Sequence, residues 1–337
     1  MGCRCTHRDP LRSPGRRQRR PSGHGGSFLS STHIKGLLEQ EFHSDGIRVE
    51  WTFFKGAGPA VNEALANGQL DITSLGDLPA IVGRAAGLKT HLILSTGSRI
   101  NVYVAVPATS NARTLEDLRG KILSVHQGTA TQLLMARILA QRGLTEHDFR
   151  IVNLDTVASL AALTNGEIDG LWGSINLFEL QDRGIVRVIF DSHADAQASG
   201  RPEIAAQGTI LVTDAFVQAY PAIVQRVVNV LVREARYDSD ESHREELFTL
   251  WQKSGTLASS YRRSYEGVPL ALRQSPLLDD FFVASLSSGA AFSRQLGYIR
   301  SPIDIADWID RSFLDKALAQ QALAGYWTSY DAQGKVH

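Results

Sequence analysis

Two cysteines are all that the 337 residues contain, Cys3 and Cys5, and they stand two apart in an arginine-rich stretch. That supply excludes a disulfide framework and a structural zinc site, which needs four ligands. No apolar run reaches the roughly 18 residues that a membrane-crossing helix requires. None of the ten histidines pairs with another histidine, a cysteine or an acid at the spacing of a metal-binding helix, so no metal is expected. The glycines of "GAG" (56–58) and "GRAAG" (from 83) fail the three-glycine dinucleotide fingerprint. No phosphate loop is present either, so no nucleotide cofactor is expected. No helix-turn-helix precedes the first α/β segment, which leaves the effector-sensing half of a transcription regulator a minor reading.

Acids and bases balance over the whole chain, but not along it. Residues 1–24 hold seven arginines against the single acid Asp9, a charge of +6, which leaves −6 for the rest. Such an arm suits nucleic acid or an acidic membrane surface. This one has no aromatic residue for base stacking and no amphipathic period, so no nucleic-acid partner is expected. After "RRQRR" comes "PSGHGGS", where an export signal would need an apolar stretch of about 7 to 15 residues. The expectation for residues 1–24 is a disordered tail, or the product of a misplaced start.

From Ile47 onward strand-like and helix-like segments alternate, the pattern of α/β units on a largely parallel sheet. The strand candidates are residues 47–54, 69–75, 89–96, 101–107, 121–126, 150–154, 168–173, 186–190 and 205–213. Between them, Thr129 to Gln141 reads as a helix with Leu133, Leu134, Ile138 and Leu139 on one face. Beyond Thr213 the chain reads as helices alone. Pro221 suits a first turn, and Ile223, Val224, Val227, Val228 and Leu231 form one apolar stripe. The run Ser301-Pro302-Ile303-Asp304 predicts the start of a helix through "ADWIDRSFLDKALAQQA". These late helices read as packing elements without chemistry.

One short phrase occurs twice: "ALANGQLDITSLGD" from Ala64 and "ALTNGEIDGLWGS" from Ala162, offset by 98 residues. In each copy Ala-Leu ends a helix, Asn-Gly supplies the left-handed residue that stops it, and a strand follows. Each strand then opens into a glycine-containing loop. Ligands of open α/β sheets sit beyond such strand ends. Two copies predict two α/β lobes whose loops grip a small molecule from both sides, with crossings near Gly97 to Asn101 and Ala206 to Gly208 as the hinge. Asp71 and Asp169 match in the two copies and read as local backbone caps rather than catalytic groups.

The run "GSFLSSTHIKGLLEQEFHSDGIRVEWTFFKGAGPAVNEALANGQLDITSLGDLPAIVGRAAG" resembles the first lobe of the periplasmic substrate-binding proteins of ABC transporters for aliphatic sulfonates, taurine and nitrate. The resemblance continues through "TLEDLRGKILSVHQGTATQLLMARILAQRGL" to the terminal "WIDRSFLDKAL", about residues 26 to 322. It implies an α/β, two-lobe fold of the type II periplasmic-binding-protein kind with a helical C-terminal part. Residues 25–99 with 208–337 would form the first lobe and its C-terminal helices, and residues 100–207 the second. The family normally has a strand just before "GSFL", in the centre of the first lobe, and this chain has "RRQRRPSGHGG" there.

The function implied is a monomeric periplasmic receptor, not an enzyme. It would capture a small organic anion, an aliphatic sulfonate first and taurine or nitrate next, and deliver it to an ABC permease in the inner membrane. The alternative is an enzyme of thiamine-pyrimidine synthesis on the same fold; such enzymes need a reactive histidine and a cysteine-rich stretch, and no cysteine follows Cys5.

For the anion, strand "KILSVH" running into Gln127, Gly128, Thr129, Ala130 and Thr131 offers unpaired backbone amides at a helix start, with two hydroxyl donors. Ser74, Gly76 and Asp77 are expected to line the cleft at the end of the first repeated strand, with Asp77 also capping its helix. At the second strand's end, Trp172 is expected to lay its indole on the ligand's body, with Ser174 beside it. The resemblance adds Ser27 and Phe28, and Arg99 near the hinge is a further candidate for the anion.

Overall fold

The computed structural model describes residues 2–7 for their backbone, and residues 25–201 and 203–337 in full. Its strands are β1 (Gly2–His7), β2 (Ile47–Thr52), β3 (Ile72–Gly76), β4 (Thr90–Ile100) and β5 (Tyr103–Pro107), then β6 (Ile122–Val125), β7 (Arg150–Asn153), β8 (Gly170–Gly173), β9 (Val186–Asp191) and β10 (Ala206–Thr213). They form two five-stranded sheets, ordered β2-β1-β3-β10-β4 and β7-β6-β8-β5-β9. The two orders correspond position by position, and the repeated phrase supplies the third strand of each, β3 and β8. In both copies the helix ends in the same way. Gly68 and Gly166 take φ of +65° and +74°. Gln69 N–H then bonds Ala64 O, and Glu167 N–H bonds Ala162 O, both at 2.9 Å. This is the six-to-one bond of a glycine-terminated helix.

The fourth strand of each sheet crosses over from the other lobe. β10 is antiparallel to β3 and β4, and β5 is antiparallel to β8 and β9, whereas β6 is parallel to β7 and β8. The largely parallel pattern is thus interrupted where the chain changes lobes, because a strand arriving from the opposite lobe enters the sheet from its other end.

The tail expected over residues 1–24 is corrected for residues 2–7. They form β1, antiparallel to β2 from Gly2↔Thr52 to His7↔Ile47 and to β3 at Gly2 and Cys3. Residues 8–24 lie outside the described residues. Between β2 and β3 a vacant slot would leave two rows of backbone donors and acceptors unpaired inside a sheet. Backbone pairing asks little of side-chain identity, so a sequence with no strand-like pattern can occupy it. Its direction opposes that of β6, its counterpart in the second lobe.

Each sheet is covered by its own helices. In the first lobe the stripe Val224, Val227, Val228 and Leu231 of helix Pro221–Asp238 is buried with Leu92, Ile93 and Leu94 of β4. In the second, Leu134, Ile138 and Leu139 of helix Ala130–Gln141 pack with Val104, Val125 and Trp172. The helix predicted from Ser301 begins instead at Ser312. Residues 308–310 are held by the edge of β4, where Leu92 N–H bonds Trp308 O and Asp310 N–H bonds Leu92 O, both at 2.9 Å. Pairing with an exposed strand edge outweighs the cap and proline signals at 301–304.

Candidate functional site

Two crossings join the lobes. The first passes from β4 to β5 through Asn101 and Val102; the second enters β10 at Ala206, which pairs with Ile100. Where they meet the sheet they enclose a cavity of about 490 Å³. One wall is the start of helix Phe28–Lys35, where Gly25, Gly26, Ser27, Leu29 and Ser30 face the cavity. Its floor is the end of β3, Ser74 to Gly76, with Thr96, Gly97 and Gly208 of the crossing strands. The second lobe contributes Ser174 and Ile175.

The remaining wall comes from the C-terminal helices, which had been read as packing elements. Thr256, Tyr261, Ser264, Tyr265 and Arg273 all line the cavity. Arg273 is the only charged residue among the described lining residues, and it is 7% exposed. Its Nη1 donates to Ser264 Oγ at 2.9 Å. With the Asn101 amide set to satisfy both its neighbours, Arg273 Nη2 donates to it at 2.9 Å. The guanidinium lies over the Tyr265 ring, 4.7 Å from its centroid. Among the described residues no acid pairs with it, and its Nε–H has no partner. A buried cation held only by neutral groups carries an unrecovered desolvation penalty, which an incoming anion would offset. Arg273 sits in "LALRQS", within helical sequence, and no spacing or periodicity distinguishes it from a surface arginine.

Of the residues expected at the site, Ser27, Ser74, Gly76 and Ser174 line this cavity. Ser27 caps helix Phe28–Lys35 and accepts from Ser30 N–H at 3.4 Å. Phe28 does not line the cavity: its ring is fully buried in the first lobe's core, and its N–H bonds Gln274 Oε1 at 2.9 Å. Asp77 turns away too. At 3% exposure, its Oδ1 accepts from Leu78 N–H at 2.7 Å and its Oδ2 from Gln207 N–H at 3.5 Å. Burial pushes its pKa up to about 6, against the downward pull of these bonds and of Arg137 on the second lobe.

Two of the amides expected to cradle the anion, and one of the hydroxyls, are spent within the second lobe. Gln127 N–H bonds Asn153 Oδ1, Gly128 N–H bonds Gln132 Oε1, and Thr129 Oγ1 donates to His126 O. Residues 127–131 do meet the first lobe, but in direct contact at the cavity's rim. A Cβ on Gly76 would stand 2.8 Å from the Cβ of Ala130, and one on Gly128 2.7 Å from Pro59. Neither Ala130 nor Thr131 lines the cavity. The correction is that this loop is a closure contact, not the floor of the pocket.

Trp172 is 3% exposed, in the second lobe's core, 6.0 Å from the Phe190 ring. It aligns with Ser74 in the repeat, yet it packs with Val104, Val125 and Leu134 in the core rather than at the cavity. Arg99 bonds Glu203 across the two crossings at 3.2 Å and lies over the Phe281 ring. It braces the hinge rather than the cavity. Asp169 binds backbone, but of a neighbouring strand rather than locally, its carboxylate accepting from Ile122 N–H at 2.8 Å.

Further contacts hold the lobes together. Tyr298 donates to Glu146 at 2.6 Å, and Tyr103 donates to Ser264 at 3.2 Å. Two α/β lobes with matching strand orders, two crossings and a cavity between them define a type II binding-protein fold.

Comparison with known proteins places the chain more closely. Residues 41–238 match the family described as NMT1/THI5 like, and the chain belongs to that family. A Bacillus subtilis protein named as an aliphatic sulfonates-binding protein is 25% identical over 295 residues, 86% of this chain and 85% of that one. Among solved structures, the periplasmic sulfonate-binding protein SsuA of a sulfonate ABC transporter from Methylobacillus flagellatus is 27% identical. It superposes with a TM-score of 0.76 over 90% of this chain and 92% of its own. The desulfurization enzyme DSZB shares the fold at 16% identity, with a TM-score of 0.59 over 79% of this chain and 95% of its own.

Proposed function

We propose that this protein is the solute receptor of an ABC importer, taking a small organic anion into the cavity between its lobes. The observation that carries the reading is Arg273, a buried cation unmatched by any acid among the described residues, at the wall of a ligand-sized space. Hydroxyls of Ser27 and Thr256 stand around the same space and can donate to the oxygens of a sulfonate, while Ser74 and Ser174, the latter donating to Asn176 Oδ1 at 3.0 Å, line it from the two lobes. Contacts from both lobes favour the closed form, which is then presented to a membrane permease. Similarity to the named relatives supports an aliphatic sulfonate as the first candidate and the periplasm as the place of work; the receptor acts as a monomer.

Binding rather than catalysis is supported by the composition of the cavity wall. Among the described lining residues there is no histidine, cysteine, aspartate or glutamate to serve as base or nucleophile. The test is a thermal-shift and calorimetric screen of alkanesulfonates, taurine, nitrate and small carboxylates, with the ligand's mass checked after incubation. A stabilising ligand recovered unchanged supports the receptor reading. No binding by the folded protein overturns it, and a ligand recovered with altered mass moves the protein to the enzymes.

A further inference from the structure

Resting on that reading, we infer that the cavity selects an organic monoanion whose body is electrically neutral, and that it discriminates against zwitterions such as taurine. The inference comes from what faces Arg273. Among the described lining residues the guanidinium is the only charge, and the other polar groups are hydroxyls, backbone groups and the Asn101 amide.

One anionic head is therefore neutralised and no more. An ammonium on the same ligand would enter the cavity without a carboxylate, shedding water with nothing charged to replace it. In a two-carbon zwitterion it would also lie within a few bonds of the head that Arg273 holds, so the two cations would repel in a poorly solvated space.

Nor do the aromatic rings offer it a place. The Tyr265 face is already covered by Arg273, and its hydroxyl donates to Gly26 O and accepts from Gln274. The walls that remain, Leu29, Leu75, Ile100, Ile175 and the Tyr261 ring, suit a neutral, largely apolar body. Size points the same way. Nitrate fills about 60 Å³, roughly two waters, and would leave most of the 490 Å³ empty of organic matter.

Taurine and propane-1-sulfonate test this directly, because they share one skeleton with an ammonium in place of a methyl group. Calorimetric titration of the full chain should show propane-1-sulfonate binding at least roughly tenfold more tightly than taurine, and nitrate giving no saturation where propane-1-sulfonate saturates. Taurine binding as tightly as propane-1-sulfonate overturns this inference alone, as does nitrate matching it. If neither sulfonate binds while another anion of the screen does, this inference falls alone; if no anion of the screen binds, the receptor reading falls and takes this inference with it. Ser174→Asp supplies the second arm, since the position is exposed on the second lobe and lines the cavity. The new carboxylate should shift the taurine-to-propane-1-sulfonate affinity ratio toward taurine by roughly tenfold or more; an unchanged ratio refutes the charge argument.

Discussion

Replacing Arg273 by Met separates a ligand-holding cation from a structural one. The substitution keeps the aliphatic stem and removes the charge. In the ligand-free protein it deletes two hydrogen bonds from a charged donor, to Ser264 and Asn101, each contributing about 1.5–3 kcal/mol. It also removes a buried charge without a countercharge, whose desolvation costs several kcal/mol. The two effects oppose, so the net change in unfolding free energy should stay within about 2 kcal/mol, or roughly 4–8 °C in Tm. Binding has no such compensation. Removing one partner of a buried, hydrogen-bonded charge pair costs about 2–5 kcal/mol, a fall in affinity of roughly 30-fold to several thousand-fold. Differential scanning fluorimetry with and without sulfonate, and calorimetry, read both quantities on the same sample. Ligand at 100 times its Kd should stabilise the natural protein by about 2.7 kcal/mol, and at that concentration the variant should show little shift. A variant that melts far lower yet binds unchanged would make Arg273 a structural residue and refute the reasoning.

Three more outcomes follow from contacts other than those of Arg273. Gly76→Val places side-chain atoms against Ala130 of the second lobe; affinity should drop at least roughly tenfold while ligand-free melting changes little, and small-angle scattering should show a more open particle with ligand present. Tyr298→Phe removes the inter-lobe bond to Glu146, which should weaken ligand by roughly 2- to 12-fold, about 0.5–1.5 kcal/mol, with the loss in the dissociation rate. For Asp77 the folded pKa, about 6, is above the ordinary 3.8. Its protonated form is thus favoured by folding, and this contribution, present below pH 3.8, is lost as pH rises through 6. The loss is about 3 kcal/mol. Denaturant titrations from pH 4 to 7.5 should show Asp77→Asn flattening that decline; an equal slope in both proteins would mean the carboxyl is not desolvated as described.

Strand positions were legible because alternation and turn residues act locally. All nine segments predicted between Ile47 and Thr213 contain a strand. The doubled phrase fixed more than two elements, since helix, Asn-Gly stop and following strand are set by residues in contact along the chain. It identified the third strand of each sheet and, through Ser74, Gly76 and Ser174, part of the cavity wall. Trp172 shows the limit of that reasoning: knowing that a residue ends the right strand does not say which face it takes, and one step along a strand reverses the answer.

Direction, partnership and charge compensation were decided by the tertiary structure. Nothing in "GCRCTH" announces a strand; β1 exists because β2 and β3 leave a backbone-lined gap between them. The amides of Gln127 and Gly128 looked free in sequence, but Asn153 and Gln132 reach them once the second lobe folds. Arg273 is one of many arginines until helices from the far end of the chain bring it beside the crossings, where no acid among the described residues pairs with it. The sequence by itself determined the two lobes, because local periodicity and turn chemistry suffice to write them. Only the folded chain determined which buried cation is held by neutral groups and by no acid among the described residues, because that depends on distances between residues that the sequence holds far apart.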